Sequence, residues 1–453
     1  MKINHANWMR LLLIIQVVML QACTYDYFPV PEVPEPAKET ATLEAKYVGT
    51  PPTTISSAYW STADFHHVTA VNLSTGNLYS DGLLNMTGTY NGTGSFNGGS
   101  SPELVMKAAY DDQKLYILLE WTDLSLNLSN ASWLHNGPTD PLKSDTATGW
   151  TSQKNNDKVA LAFEIEAASG SAGTFSSVGC AASCHNNEMK PEVGKVDIWN
   201  WNLAFSEPFG YSGDMVTEAT TGLSYDSGQP MFVRNNAGLT DRSGPAYEWD
   251  GVVQNITKGN GVASILDPAY YILNKTPFTG NIESGDAVYH NSVKGCTHCH
   301  GENGEGGGDF GDGPSFTRPE VNRYSRQNII DYSSSTVHTG FSYFNQLNST
   351  ERENVIAYIR GMSGVPGYYL QEPDGSNADI ISASNTNLVN VNTYAGHSQY
   401  KVLLIRELNT TNTDDAVFDL TQNMEYIFGI ALMDNDGKNH IGSLKETLTF
   451  LEK

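Results

Sequence analysis

Val105-Met106-Lys107-Ala108-Ala109-Tyr110-Asp111-Asp112-Gln113-Lys114-Leu115-Tyr116-Ile117-Leu118-Leu119-Glu120-Trp121 is the stretch from which the rest of the chain can be read. Two apolar runs flank a polar turn at Asp111-Asp112, the pattern of an antiparallel hairpin with a buried face. A second strand follows further on. Val159, Leu161, Phe163 and Ile165 alternate with Ala160, Ala162 and Glu164, so each set lines one side of a pleated segment. This period of two dominates from about Ile55 to Asn255, and the stretches between, rich in Gly, Ser, Asn and Thr, read as turns and loops. The expected fold class is mainly β.

The texture changes between about Asp267 and Gly364. A glycine-rich run, Gly304 to Gly313, leads to a helical candidate near Arg326 to Tyr332, and a stronger helix is expected from Thr350. Thr350-x-x-Glu353 reads as its capping box, Val355, Ile356 and Ile359 as its apolar stripe, and Gly361 as its stop. Strands then return. Val402 to Ile405 is apolar, Tyr426, Phe428, Ile430 and Leu432 alternate with Ile427, Gly429 and Ala431, and Leu448 to Leu451 closes the chain. Such β texture after a helical segment reads as the last strands of the first domain. The helical part is then an insertion, giving domains at 55–266 with 370–453 and, inside them, 267–369.

The chain has 453 residues, enough for two domains with their own cores, and a formal net charge of -24, which argues against nucleic acid and against a basic membrane-binding face. At the N-terminus, Lys2 and Arg10 flank a start followed by apolar Leu11 to Leu20, too short to span a bilayer. Residues 1–23 read as a secretory signal whose end, Leu20-Gln21-Ala22-Cys23, resembles the lipobox of bacterial lipoproteins. That resemblance implies cleavage before Cys23, lipid on its thiol, and an extracytoplasmic chain anchored to a bacterial membrane, on the periplasmic side or at the cell surface. From Thr24 to about Thr54, Pro29, Pro31, Pro34, Pro36, Pro51 and Pro52 argue for a tether without packed structure.

The remaining cysteines fall into two motifs. Cys296-Thr297-His298-Cys299-His300 has the spacing by which two thiols take the vinyl groups of one haem while the next imidazole takes the iron. Gly179-Cys180-Ala181-Ala182-Ser183-Cys184-His185 carries one extra residue between its thiols. Zinc there would need further Cys or His ligands nearby, and none follows closely. The expected cofactors are two covalent haems c, with His185 and His300 as iron ligands.

The region from Asp286 to Met362 resembles the small class I cytochrome c fold through Gly285-Asp286-Ala287-Val288-Tyr289, the attachment motif, Gly313-Pro314 and the terminal helix with Tyr358-Ile359-Arg360. Where such proteins present a methionine before Pro-x-Phe, this chain has Gly340-Phe341-Ser342-Tyr343-Phe344. His338 is the first candidate for the second axial position and Met362 the next.

The β regions resemble the haem-binding γ subunit of ethylbenzene dehydrogenase and its relatives among molybdenum enzymes of the dimethyl sulfoxide reductase class. Val105 to Tyr110 with Tyr116 to Trp121, Asp157 to Ile165, the Cys180 loop, Val196-Asp197-Ile198-Trp199-Asn200-Trp201, Arg406-Glu407-Leu408 and Gly429 to Asn435 with His440 carry that resemblance. It implies an antiparallel, DOMON-like haem-binding β-sandwich, with methionine and lysine as iron ligands in its best-known members. Met106 and either Lys438 or His440 match those places, and with His185 from the attachment loop, His440 ahead of Met106 is the distal candidate.

Trp199 and Trp201 share a face and read either as a shield for a haem edge or as sandwich core. Asp434-Asn435-Asp436-Gly437 reads as a hairpin turn and only loosely as a calcium loop. The reading that follows is a lipid-anchored dihaem electron carrier, not itself an enzyme, whose partners are redox proteins such as a molybdenum oxidoreductase or another cytochrome. The alternative is a haem enzyme (a peroxidase or reductase) or a ligand sensor with an open iron position in the inserted domain.

Overall fold

The computed structural model describes residues 36–72, 103–122, 157–165, 174–182, 194–203, 210–229, 232–235, 280–291, 295–302, 343–362, 368–370, 378–384, 400–433 and 440–453, with isolated residues and short strand pieces between them. The chain is mainly β, built on a curled mixed sheet of 13 strands. These are β1 (Leu43–Tyr47), β2 (His66–Val68), β3 (Val71–Asn72), β4 (Leu104–Tyr110), β5 (Lys114–Trp121), β6 (Lys158–Glu164), β7 (Lys195–Asn202), β8 (Gly213–Glu218) and β9 (Gly222–Tyr225). A two-stranded ribbon of β10 (Phe232–Arg234) and β11 (Tyr368–Leu370) follows, and β12 (Ile380–Ser384), β13 (Tyr400–Glu407), β14 (Glu425–Met433) and β15 (His440–Phe450) return to the sheet.

The hairpin read first from the sequence is β4 and β5, in register from Leu104 opposite Trp121 to Tyr110 opposite Leu115. Asp111 shapes its turn: one carboxylate oxygen accepts from the backbone N–H of Gln113 and Lys114, at 2.7 Å each, and the other accepts from the Tyr116 hydroxyl at 2.8 Å. Such local side-chain bonding is what makes Asp a turn former.

Sheet order is β9-β8-β7-β6-β14-β15-β1-β4-β5-β13-β12, so the C-terminal strands lie between and beside the N-terminal ones. β1 corrects the expectation of an unpacked tether up to Thr54. It runs parallel to both β15 and β4 near the middle of the sheet, with Leu43 and Ala45 fully buried. Pro36 and Pro51 bracket it without entering it, and a strand this short needs only those two inward side chains.

The sheet bends until its ends meet. Ser212, just before β8, donates its N–H to the carbonyl of Ile380 on β12 at 2.9 Å, and Ser382 donates back to Gly210 at 2.8 Å. The enclosed core is aromatic. Trp121 stacks on Tyr400 with ring centroids 4.7 Å apart and meets Trp201 edge-on at 6.2 Å, while Phe163 packs on Trp199 at 4.8 Å. Both Trp199 and Trp201 are fully buried in this core, so the sandwich reading of the pair holds. Each such side chain contributes roughly 3 kcal/mol or more of burial.

The opposite face is covered too. Trp60, from a 3-10 turn at Ala58–Ser61, packs with Tyr116, Leu118, Leu403 and Ile405. Ala162, Val196, Ile198 and Leu444 are covered by α1 (Phe175–Val178) and the 3-10 turn Gly179–Ala182.

Between β10 and β11 lie α2 (Ile282–Tyr289), α3 (Thr297–His300), α4 (Tyr343–Gln346) and α5 (Ser349–Met362). α5 begins one residue before the expected Thr350, and its capping box is Asn348 with Glu351: Glu351 N–H donates to Asn348 Oδ1 at 3.0 Å and Asn348 N–H to Glu351 Oε2 at 2.9 Å. Asn is the stronger N-cap, which explains why the Thr350 reading gives way. The helix also continues through Gly361 to Met362. The candidate helix at 326–332 lies outside the described residues except for Ile330.

Candidate functional site

The turn Cys296–His300 is held by two crossing helices. Asn281 caps α2, its side chain accepting from Ser284 N–H at 2.8 Å, and its own N–H donates to Asn354 Oδ1 on α5 at 2.8 Å. Gly285 makes the crossing close: a Cβ there would lie 2.0 Å from the Asn354 carbonyl oxygen and 2.8 Å from Tyr358 Cβ. From the end of α2, fully buried Tyr289 donates its hydroxyl to the Gly301 carbonyl at 2.9 Å. His290 spans the same gap, its Nε2 lying 2.7 Å from the Glu302 carbonyl. Burial works against charging His290, but the acceptors at Glu302 and Asp286 outweigh it and raise its pKa.

Cys296 caps α3, and Cys299 lies three residues on, one turn of helix away. Neither thiol is in a disulfide. Burial, with Cys299 alongside, pushes the Cys296 thiol up to about 12, so it stays protonated at neutral pH. His300 is 7% exposed, and its ring stacks on Phe316 with centroids 4.0 Å apart. Gly313 fits tightly behind it, where a Cβ would stand 2.2 Å from the Cys299 carbonyl oxygen and 3.0 Å from His300 Nδ1. Two thiols and an imidazole thus share one helical turn, set against an aromatic ring, an arrangement able to hold a cofactor through sulfur and nitrogen together.

The second motif is described only through Cys180, since Cys184 and His185 lie outside the described residues. Cys180 is 4% exposed and sits against Ala162, Phe175, Val196, Ile198 and Leu444. Two glycines make that position possible. Gly179 has φ of +64° and comes so near β15 that a Cβ would lie 1.8 Å from the Leu444 carbonyl oxygen, while Gly429 on β14 leaves the hollow that the Cys180 side chain fills.

The proposed distal ligands separate. Met106 is fully buried on β4, opposite His66, within the main core, whereas Cys180 belongs to the cluster on the other face of the sheet. His440 is half-buried at the start of β15, opposite Met433. Met362 is the last residue of α5 rather than beyond it. Cys23, His338, Lys438 and the turn at 434–437 lie outside the described residues.

One buried group escaped the sequence reading. Arg406 on β13 is 1% exposed and lies between Trp199 and Phe418, 5.1 and 5.9 Å from their ring centroids. Its Nη2 is 3.2 Å from Asp197 Oδ2 on β7 and 3.0 Å from Asp415 Oδ2, tying the two ends of the sheet together. Asp197 Oδ2 also accepts from Trp199 Nε1 at 3.1 Å and from Ala416 N–H at 3.0 Å. Burial pushes Asp197 up to about 6 against the pull of Arg406. The available signal was Asp197 itself, a carboxylate among Val196, Ile198 and Trp199 in a strand buried on both faces.

A family model described as ethylbenzene dehydrogenase matches residues 57–312, from the 3-10 turn carrying Trp60 through the Cys296–His300 turn. No individual curated protein matches the chain.

Proposed function

The chain belongs to the ethylbenzene dehydrogenase family, and on that premise we propose that it is a dihaem c-type cytochrome, anchored outside the cytoplasm by lipid on Cys23, that passes single electrons between redox proteins. Family membership associates the chain with the electron-transfer or haem-binding part of a molybdenum oxidoreductase complex. The finer reading, two covalent haems in one anchored chain, rests on the cysteines.

The observation that carries it is the α3 turn. Cys296 and Cys299 would each form a thioether, and His300, held by Phe316 and Gly313, would present its imidazole to the iron from the same turn. Bound haem supplies a one-electron couple there. The chain's own part is to fix the imidazole, exclude water through Tyr289, Phe316 and the α2–α5 crossing, and keep ligation the same in both oxidation states.

Cys180 supports the other haem more narrowly. Its sulfur lies among apolar side chains, a setting that suits a thioether, and Cys184 and His185 follow it in sequence.

The α2–α5 segment reads as a cytochrome c domain inserted into the sandwich. Supporting this, β10 and β11, on either side of it in the chain, pair antiparallel, with Arg234 Nε 3.1 Å from the Tyr368 hydroxyl. A neck of this kind fixes both ends of an insertion to one scaffold. The reduced spectrum with and without carbon monoxide tests the carrier reading. Unchanged bands at both haems are expected, and a shift on adding the gas would overturn it in favour of an open iron.

A further inference from the structure

The Arg406 ion pairs leave two buried carboxylates, Asp214 and Asp226, without a hydrogen-bond donor. Asp214, on β8 beside Asp197, is 2% exposed, and neither of its side-chain oxygens has a hydrogen-bond donor. Its partners in space are anions. One oxygen each of Asp197, Asp214 and Asp415 lie within 4.8 Å of one another. Asp226, 3% exposed, adds a fourth carboxylate facing Asp415.

Arg406 cannot answer for all four. Its guanidinium is held between Trp199 and Phe418 and bound toward Asp197 and Asp415. Lys195, on β7 with Asp197, is occupied by Glu218 at 2.6 Å and Asp414 at 3.2 Å. Buried carboxylates without compensation are strongly unfavourable, so the pocket calls for either a cation or protons.

We propose that Asp197, Asp214 and Asp415 bind a calcium ion that clamps the curled sheet shut, joining β7 and β8 to the loop after β13. The donors are all hard oxygens, with no nitrogen or sulfur among them. Calcium accepts a cage of protein oxygens in flexible geometry, whereas magnesium sheds its waters reluctantly, so a buried set of carboxylates this close together suits calcium. Asp197 and Asp415 keep their second oxygens on Arg406, Trp199 and Thr410, which fixes the free oxygens in position. In the absence of a cation, protons on Asp214 and on the neighbouring Asp226 neutralise the pocket, consistent with burial pushing Asp226 up to about 9 and Asp214 well above the usual range.

The test uses the full-length protein. Metal content is measured after purification without chelator, and thermal unfolding is followed at neutral pH after chelation, with calcium or magnesium added back. One calcium per chain is expected, with a calcium-dependent rise in Tm that magnesium reproduces weakly. Asp214→Asn should weaken calcium affinity at least tenfold while leaving the metal-free Tm about equal, because the amide closely matches the protonated carboxyl that Asp214 carries without the ion. A metal-free wild type whose Tm ignores millimolar calcium would overturn the proposal and leave protons as the neutralising species. If Asp214→Asn does not fold, the wild-type measurements decide alone.

Discussion

Gly429 and Cys180 share one space: a side-chain carbon on Gly429 would lie 2.8 Å from both Cβ and Sγ of Cys180. The turn carrying Cys180 is thus keyed into the sheet at Gly429. Gly429→Ala should displace Cys180 and cost about 1–3 kcal/mol in denaturant unfolding, the usual range for overpacking a filled site. Gly49→Ala, where nothing lies within 4 Å of the added carbon, serves as the near-neutral control. Equal stability of the two variants would contradict this keying.

The α2–α5 crossing makes a similar demand. Ala in place of Gly285 would gain about 1 kcal/mol of helix propensity but place its Cβ against the Asn354 carbonyl. Overpacking should prevail, with a net loss of roughly 2 kcal/mol. Haem content at Cys296 and Cys299 should fall, while any at Cys180 is spared. Peptide mass mapping of the haem-bearing fragments distinguishes the two.

Removing the α5 N-cap should be milder. Asn348→Ala deletes the acceptor for Glu351 N–H and leaves Glu351 reaching back alone, for a loss of about 1 kcal/mol. Thr350→Ala, by contrast, should change stability by less than about 0.5 kcal/mol. Chemical denaturation of both variants checks the order.

These outcomes bear on what was legible in the chain. The hairpin at 105–121 and the strands at 159–165 and 426–432 were readable because alternation survives wherever one face is buried. β1 was hidden because its Leu43 and Ala45 sit among prolines whose effect stops at the strand's borders. The capping box was displaced by two residues because Asn348 and Thr350 both present plausible spacings, and only helix geometry separates them. Met106 and Cys180 could not be assigned to opposite faces from sequence, since that depends on which side of the sheet the loop after β6 crosses. The ion pair of Arg406 with Asp197 joins residues more than two hundred positions apart, which no local pattern reveals.

His66 offers a pH test. Its Nε2 is 2.9 Å from Glu446 Oε2 and its Nδ1 3.0 Å from the Thr40 carbonyl, and the bond to Glu446 is the main cause of its raised pKa. A histidine whose pKa is higher folded than unfolded stabilises fully below the unfolded value near 6.5 and loses that contribution as pH rises through the folded value. The stability gap between wild type and Glu446→Gln should therefore be widest in mild acid and narrow above neutrality. A gap that is flat from pH 5 to 9 would show that the pair is not titrating as described.

Covalent haem stoichiometry bears most directly on the central claim. Pyridine haemochrome quantification and intact mass on the purified chain should give two haems in wild type, one in Cys180→Ser, and one in a Cys296→Ser/Cys299→Ser double variant. A single haem in wild type, unaffected by Cys180→Ser, would contradict the dihaem account.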